Sequence, residues 1–141
     1  MAELGKELNR DIFCRSVTFQ RRVLLIDDDP DSREIYRQML EWGGFQVETA
    51  PNGAAGVRAA TARAPHAVLV DLDMPGLNGM EVLRQLRADP RTMRVPVAAL
   101  TGAPEMLDTV SDARFDAVVV KPAIGDEILI PVRRLVMGAE S

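Results

Sequence analysis

The chain has 141 residues, 47% of them hydrophobic and only 4% aromatic, which suits one domain whose core is filled by aliphatic side chains and alanine. A net charge of −4, without a domain-wide basic bias, argues against direct nucleic-acid binding. A single cysteine, Cys14, excludes an intramolecular disulfide, no apolar run approaches the ~18 residues of a membrane span, and the N-terminus lacks the apolar stretch of a signal peptide, so a cytoplasmic protein is expected.

Residues 1–21 read as an extension outside the fold, either a short helix or a disordered tail. Leu4, Leu8 and Ile12 recur every fourth residue, as on one helical stripe. Five basic and three acidic side chains leave residues 1–22 at +2 and the rest at −6. The folded domain is expected over 22–141. Val23-Leu24-Leu25-Ile26 is a first buried strand ending in Asp27-Asp28-Asp29-Pro30. Asp29 before Pro30 is a good helix start, a capping carboxylate followed by proline at the first helical position. That helix runs to about Trp42 and ends at Gly43-Gly44. Residues 45–49 alternate, as an edge strand with one wet face does. Gly53 to Ala64 is an alanine-rich helix that Pro65 closes.

Ala67-Val68-Leu69-Val70-Asp71 does not alternate and reads as a strand buried on both faces. It breaks at Met74-Pro75-Gly76, where Met74 is expected to pack in the turn. A helix restarts at Asn78-Gly79 and stops at Asp89-Pro90. Val95 to Leu100 is another buried strand, running into Thr101. Pro104 to about Arg114 is a weaker helix, and residues 117–120 are a fifth strand ending in Lys121-Pro122. The last helix spans roughly 125–137 with Ile128, Val132, Leu135 and Val136 inward; Pro131 should kink it or shift its start.

Five strands alternating with helices predict an α/β, doubly wound parallel sheet covered on both faces. With the amphipathic edge strand second, the natural order is 2-1-3-4-5, and ligands then bind where the order reverses, between strands 1 and 3. Strand 1 delivers Asp27 and Asp28 to that point, and strand 3 delivers Asp71. Taken singly, each is an ordinary feature: a solvated acidic turn, a loop cap, a β-branched strand end at Thr101, a surface lysine at Lys121. Together they share one pocket, where clustered carboxylates repel and are costly to bury uncompensated. A hard divalent cation resolves this, since Mg²⁺ takes oxygen ligands from one or two carboxylates, waters and a phosphate. Lys121 and the Thr101 hydroxyl complete a phosphate site, and a carboxylate beside them is equipped to become an aspartyl phosphate.

These motifs resemble the receiver domain of two-component response regulators. The matching residues are 23–30, 68–79, Leu100-Thr101-Gly102 and Val119-Val120-Lys121-Pro122, and the likeness covers 22 to about 138. The resemblance implies that Asp71 is the phosphoacceptor, supplied by a histidine kinase or histidine phosphotransfer protein. It implies Mg²⁺ bound by Asp28, Asp71 and the backbone carbonyl of Asp73, with Asp27 helping through water. Lys121, after a cis peptide to Pro122, would bridge to the phosphate, and Thr101 would be the switch hydroxyl. The output would be a downstream protein target, with no membrane or direct nucleic-acid contact. Phosphorylation-dependent homodimerisation through the last two helices is left open.

Two positions depart from the family's pattern. An aromatic residue often stands three before the lysine, and here it is Val118, which has no ring to swing. Asp73 brings an extra carboxylate near the acceptor that could bind metal, orient a hydrolytic water or point outward. His66, the only histidine, reads as a surface loop residue at the far end of the sheet, and Cys14 has no assigned role. Two other functions compete. A phosphorylation-independent pseudo-receiver would normally lack the acids or the lysine, all of which are kept. A haloacid-dehalogenase-like phosphatase would carry the Asp71-Leu72-Asp73 pair on its first strand, not its third.

Overall fold

A computed structural model of the chain describes residues 21–103, 105 and 114–138. Its elements are β1 (Arg22–Ile26), α1 (Pro30–Trp42), β2 (Gln46–Ala50), α2 (Gly53–Ala62), β3 (Ala67–Asp71), α3 (Gly79–Ala88), β4 (Val97–Thr101), β5 (Ala117–Val120) and α4 (Asp126–Gly138). The five strands pair in parallel in the order β2-β1-β3-β4-β5. All of the predicted extension 1–21 except Arg21, and nearly all of the predicted helix over 104–114, lie outside the described residues. Among those described, no helix is long and apolar enough to cross a membrane.

The two-residue period of a strand sorts the core into two layers. Val23, Leu25, Ala67, Leu69, Ala98, Leu100 and Val119 face α1 and α4, where they meet Tyr36, Leu40, Ile128 and Val132. Leu24, Ile26, Val68, Val70 and Val97 face the opposite side with Val82, Leu83 and Leu86 of α3 and Ala60 of α2. All five residues of β3 are buried, as its unbroken apolar run requires. Each of the first three helices starts on a side-chain cap: Asp29 accepts from Asp31, Asn52 from Ala55 and Asn78 from Glu81.

α2 lies close on β1 because its facing residues are small. A β-carbon added to Gly56 would stand 2.3 Å from the Ile26 Cδ1, and one on Gly53 would stand 2.3 Å from the Leu77 carbonyl oxygen. At the end of α1, Gly44 takes φ of 100°, which turns the chain so that the Phe45 amide returns to the Leu40 carbonyl.

Element ends depart from expectation for local reasons. β4 begins at Val97 rather than Val95: the Val95 amide bonds to the Thr92 carbonyl in a turn, and Pro96 has no amide hydrogen to give a ladder. β2 starts one residue late because Phe45 is folded back into the core. α2 stops at Ala62, with Arg63 extended as its cap, two residues before the expected end. α4 runs through Pro131 at its sixth position without a shifted start, and Leu129 rather than Leu135 completes its fully buried stripe.

Candidate functional site

The layer that holds Val23 and Leu25 continues in phase to Asp27. In the same way Ala67 and Leu69 lead to Asp71, and Val119 leads to Lys121. All three functional side chains therefore emerge on the α1 side at the carboxyl ends of β1, β3 and β5. The Lys121 ammonium lies 3.2 Å from the Asp27 Oδ2 and 3.1 Å from the Asp71 Oδ2. Asp27 is fully buried and Asp71 is 5% exposed. Asp28, the least buried of the acids, completes a group in which one oxygen from each of Asp27, Asp28 and Asp71 lies within 4.8 Å of the others.

Asp27 is the most constrained of the three. One oxygen accepts from the Asp29 amide at 3.0 Å, and the other accepts from the Ser32 hydroxyl at 2.7 Å and from Lys121. The Arg33 guanidinium holds its backbone carbonyl at 2.7 Å. Asp71 keeps one oxygen on the Asp73 amide at 2.9 Å and the other on Lys121. The Asp28 carboxylate has no hydrogen-bond or ion-pair partner among the described residues, which leaves it available to a cation. Three carboxylates facing one ammonium leave negative charge in excess, and an oxygen-loving divalent ion would offset it. The donor set thus fits Mg²⁺.

The charges tune one another. Burial pushes the Asp71 carboxyl above its ordinary value; the Asp73 amide and Lys121 pull it back, and the Asp27 charge adds to the rise. Burial lowers the Lys121 ammonium, but hydrogen bonding and charge from Asp71, then Asp27, outweigh it and hold the lysine above its usual value. The site thus favours the charged form of Lys121 and disfavours the ionised form of Asp71.

Thr101 sits on the other phase. Leu100 lies beside Asp71 in the ladder and faces α1, so Thr101 turns to the opposite layer. It is fully buried, its hydroxyl 3.0 Å from the Ala103 amide and 3.3 Å from the Ala103 carbonyl. Its backbone carbonyl accepts from the Lys121 amide at 2.8 Å, which ties the lysine to β4. The Asp73 side chain is exposed, while its amide faces Asp71. The Lys121–Pro122 peptide is cis. Met74 is buried in the α2–α3 layer, as a turn-packing residue should be. Val118 is half-buried and packs against Leu72 and Ala99, as do Met80 and Phe115.

His66 stands in the loop before β3, as expected, but is half-buried and bonded to β1. Its Nδ1 accepts from the Arg22 amide at 2.9 Å, and its own amide bonds to the Arg22 carbonyl at 2.9 Å. It closes the start of β1 against β3, at the end of the sheet away from the acids. Sequence reasoning missed Ser32 and Tyr36 of α1. The Ser32 oxygen is 3.2 Å from the lysine nitrogen, the Tyr36 ring centroid is 5.6 Å from it, and the Tyr36 hydroxyl accepts from the Ala123 amide at 3.2 Å. The signal available was their four-residue spacing, which puts both on the face of α1 that looks at the switch point.

Comparison with known proteins agrees with this geometry. A family model for the response regulator receiver domain matches residues 23–133. The protein PilH of Pseudomonas aeruginosa is 36% identical over 119 residues, covering 83% of this chain and 98% of PilH. Longer relatives also match: the chain is 34% identical to the DNA-binding transcriptional regulator RpaA of Synechocystis but spans only 48% of it. The response regulator TrrA of Thermotoga maritima, solved in complex with magnesium and beryllium fluoride, superposes with a TM-score of 0.76 at 28% identity, covering 82% of this chain and 99% of that one. A receiver domain of a Pseudomonas aeruginosa sensor histidine kinase, solved with magnesium in its active-site cleft, gives 0.77 at 27% identity, covering 83% of this chain and 98% of that one. The sheet order, the acids at its switch point and these matches together make the chain a member of the response regulator receiver family of two-component signalling.

Proposed function

We propose that Asp71 accepts a phosphoryl group from a phosphohistidine, on a histidine kinase or a histidine phosphotransfer protein, and that the resulting charge alters binding to a downstream protein. The observation that carries this is the grouping of one oxygen each from Asp27, Asp28 and Asp71 within 4.8 Å of one another, with the Lys121 ammonium paired to Asp27 and Asp71. An Asp71 oxygen attacks phosphorus, the phosphorus–nitrogen bond breaks, and the imidazole leaves with its electron pair and takes up a proton. Bound Mg²⁺ would supply neutralisation of charge on the transferring group. Asp28, Asp71 and the Asp73 carbonyl would hold it, with Asp27 acting through water.

The chain's own groups do the positioning. Lys121 donates to a phosphoryl oxygen, a role for which its ammonium already lies 3.1 Å from the acceptor carboxylate. Thr101 turns its hydroxyl from Ala103 toward the new phosphoryl oxygen. Val118 offers no aromatic ring to move in response. The exposed Asp73 side chain stays outward. The net charge of −4 favours a protein partner over nucleic acid, and a cytoplasmic setting fits a phosphohistidine donor. Incubation with Mg²⁺ and acetyl phosphate is expected to add one acid-stable, base-labile phosphoryl group, with none on the Asp71→Asn variant. Labelling that survives this substitution overturns the assignment.

A further inference from the structure

We propose that Ser32 and Tyr36 of α1 are positioning residues for Lys121, setting how readily its ammonium moves from Asp27 to a phosphoryl group on Asp71. The inference rests on Asp71 being the phosphoacceptor and adds the element that controls the lysine.

An ammonium has three hydrogens to donate. Here all three have an acceptor: Asp27 at 3.2 Å, Asp71 at 3.1 Å and Ser32 at 3.2 Å. Ser32 does more than receive one of them. Its hydroxyl donates to the same Asp27 oxygen that Lys121 touches, at 2.7 Å, so serine, aspartate and lysine close a three-membered ring of hydrogen bonds. One helical turn on, the Tyr36 ring lies 5.6 Å from the ammonium, within range of a cation–π contact. The Tyr36 hydroxyl takes the Ala123 amide at 3.2 Å, two residues beyond the lysine. Tyr36 is 6% exposed, so this bond is shielded from water. α1 therefore holds Lys121 at both ends, the ammonium through Ser32 and the ring, the backbone through the tyrosine hydroxyl.

A phosphoryl group on Asp71 brings new acceptors to a lysine with no hydrogen to spare. One present contact must break, and Ser32 stabilises the resting arrangement against that exchange. As Lys121 moves, the tyrosine ring and the Ala123 loop feel the displacement directly. α1 is then the element that senses occupancy of the site, in a chain where Val118 offers no ring on β5 to do so.

The test exploits the chain's two lysines, Lys6 and Lys121. Lysine labelled at Cε and Nζ gives two sets of magnetic-resonance signals, and Lys121→Arg identifies one of them. In the metal-free protein, Ser32→Ala should shift the Lys121 signal and Ser32→Thr should restore it. With Mg²⁺ and beryllium fluoride as the probe, Ser32→Ala should bind about threefold to tenfold more tightly than wild type, because one resting contact of a charged donor is gone. Ser32→Thr should return to the wild-type affinity. Tyr36→Phe keeps the ring but should move the Ala123 amide signal. A Lys121 signal unchanged in Ser32→Ala, or equal probe affinity in that variant and wild type, overturns the proposal. If wild type takes up no beryllium fluoride, the phosphoacceptor assignment of Asp71 falls instead, and the metal-free lysine signal still decides the positioning role.

Discussion

The two ends of one sheet are built on opposite principles. At the amino end, several polar groups of the described residues that meet the core are matched locally. Arg87 pairs with Asp116 at 2.7 Å and also reaches the Val95 carbonyl at 2.6 Å. Asp116 in turn accepts the Val97 amide at 2.8 Å. Buried Thr92 gives its hydroxyl to the Leu86 carbonyl at 2.7 Å, and His66 ties β1 to the loop before β3. At the carboxyl end, three carboxylates face one ammonium and one of them, Asp28, has no partner among the described residues. The same strands thus serve as a sealed base and as an unbalanced mouth. The imbalance marks the functional end more clearly than any single residue does, since stability alone would favour neutrality.

That contrast can be broken from either end. The largest effect is expected from Lys121→Met, which leaves Asp27 and Asp71 buried without their counter-charge. Chemical unfolding without metal should show a loss of about 2–3 kcal/mol, and Mg²⁺ should recover part of it. A comparable change should come from the metal itself: at a hundred times its dissociation constant, Mg²⁺ should raise stability by about 2.7 kcal/mol, and Asp28→Asn should forfeit most of the gain. Thermal scans with and without Mg²⁺ measure it, and an equal gain in the variant would remove Asp28 from the ligand set. At the sealed end, Asp116→Ala should cost about 1–2 kcal/mol by leaving the Val97 amide without its acceptor and Arg87 without its counter-charge, while Mg²⁺ affinity stays as in wild type. A changed affinity would show that the ends are coupled.

The smallest effect concerns pH. The folded-state value of Asp71 is raised, so the folded protein holds that proton more tightly than the unfolded chain does. Ionised Asp71 therefore costs stability at neutral pH, and Asp71→Asn should be the more stable metal-free protein, by under about 1 kcal/mol. The difference should shrink as pH falls through the raised value, where the wild-type carboxyl becomes protonated. A difference that grows with acid would mean that pairing to Lys121 outweighs burial.

Much of the carboxyl end was legible before any coordinates. An apolar run ending in an acid is a local pattern, and two such runs plus a lysine after another are enough to place Asp27, Asp71 and Lys121 at one switch point. What escaped was set by pairing across distance. Ser32 and Tyr36 share a helix face by their four-residue spacing, but core packing alone satisfies that amphipathic pattern, and the spacing does not name residue 121 as the partner. Asp116 looks like a loop acid until the fold brings Arg87 and the start of β4 to it. Thr101 ends its strand beside that pocket, but its hydroxyl rests 3.0 Å from the Ala103 amide, one residue out of phase with Asp71, an orientation that a list of strand ends does not contain.

The close seating of α2 on β1 carries a consequence for how distant substitutions reach the site. Gly56 inside α2 costs about 1 kcal/mol relative to alanine, so the helix leans on its contact with the sheet. Its amides should exchange with solvent only when β1 itself opens, in one cooperative unit. The atom against Gly56 belongs to Ile26, the residue immediately before Asp27. A single methyl group added at Gly56 would thus act as a wedge beneath the buried acid. Altered metal affinity could then arise from a residue that touches neither metal nor phosphate.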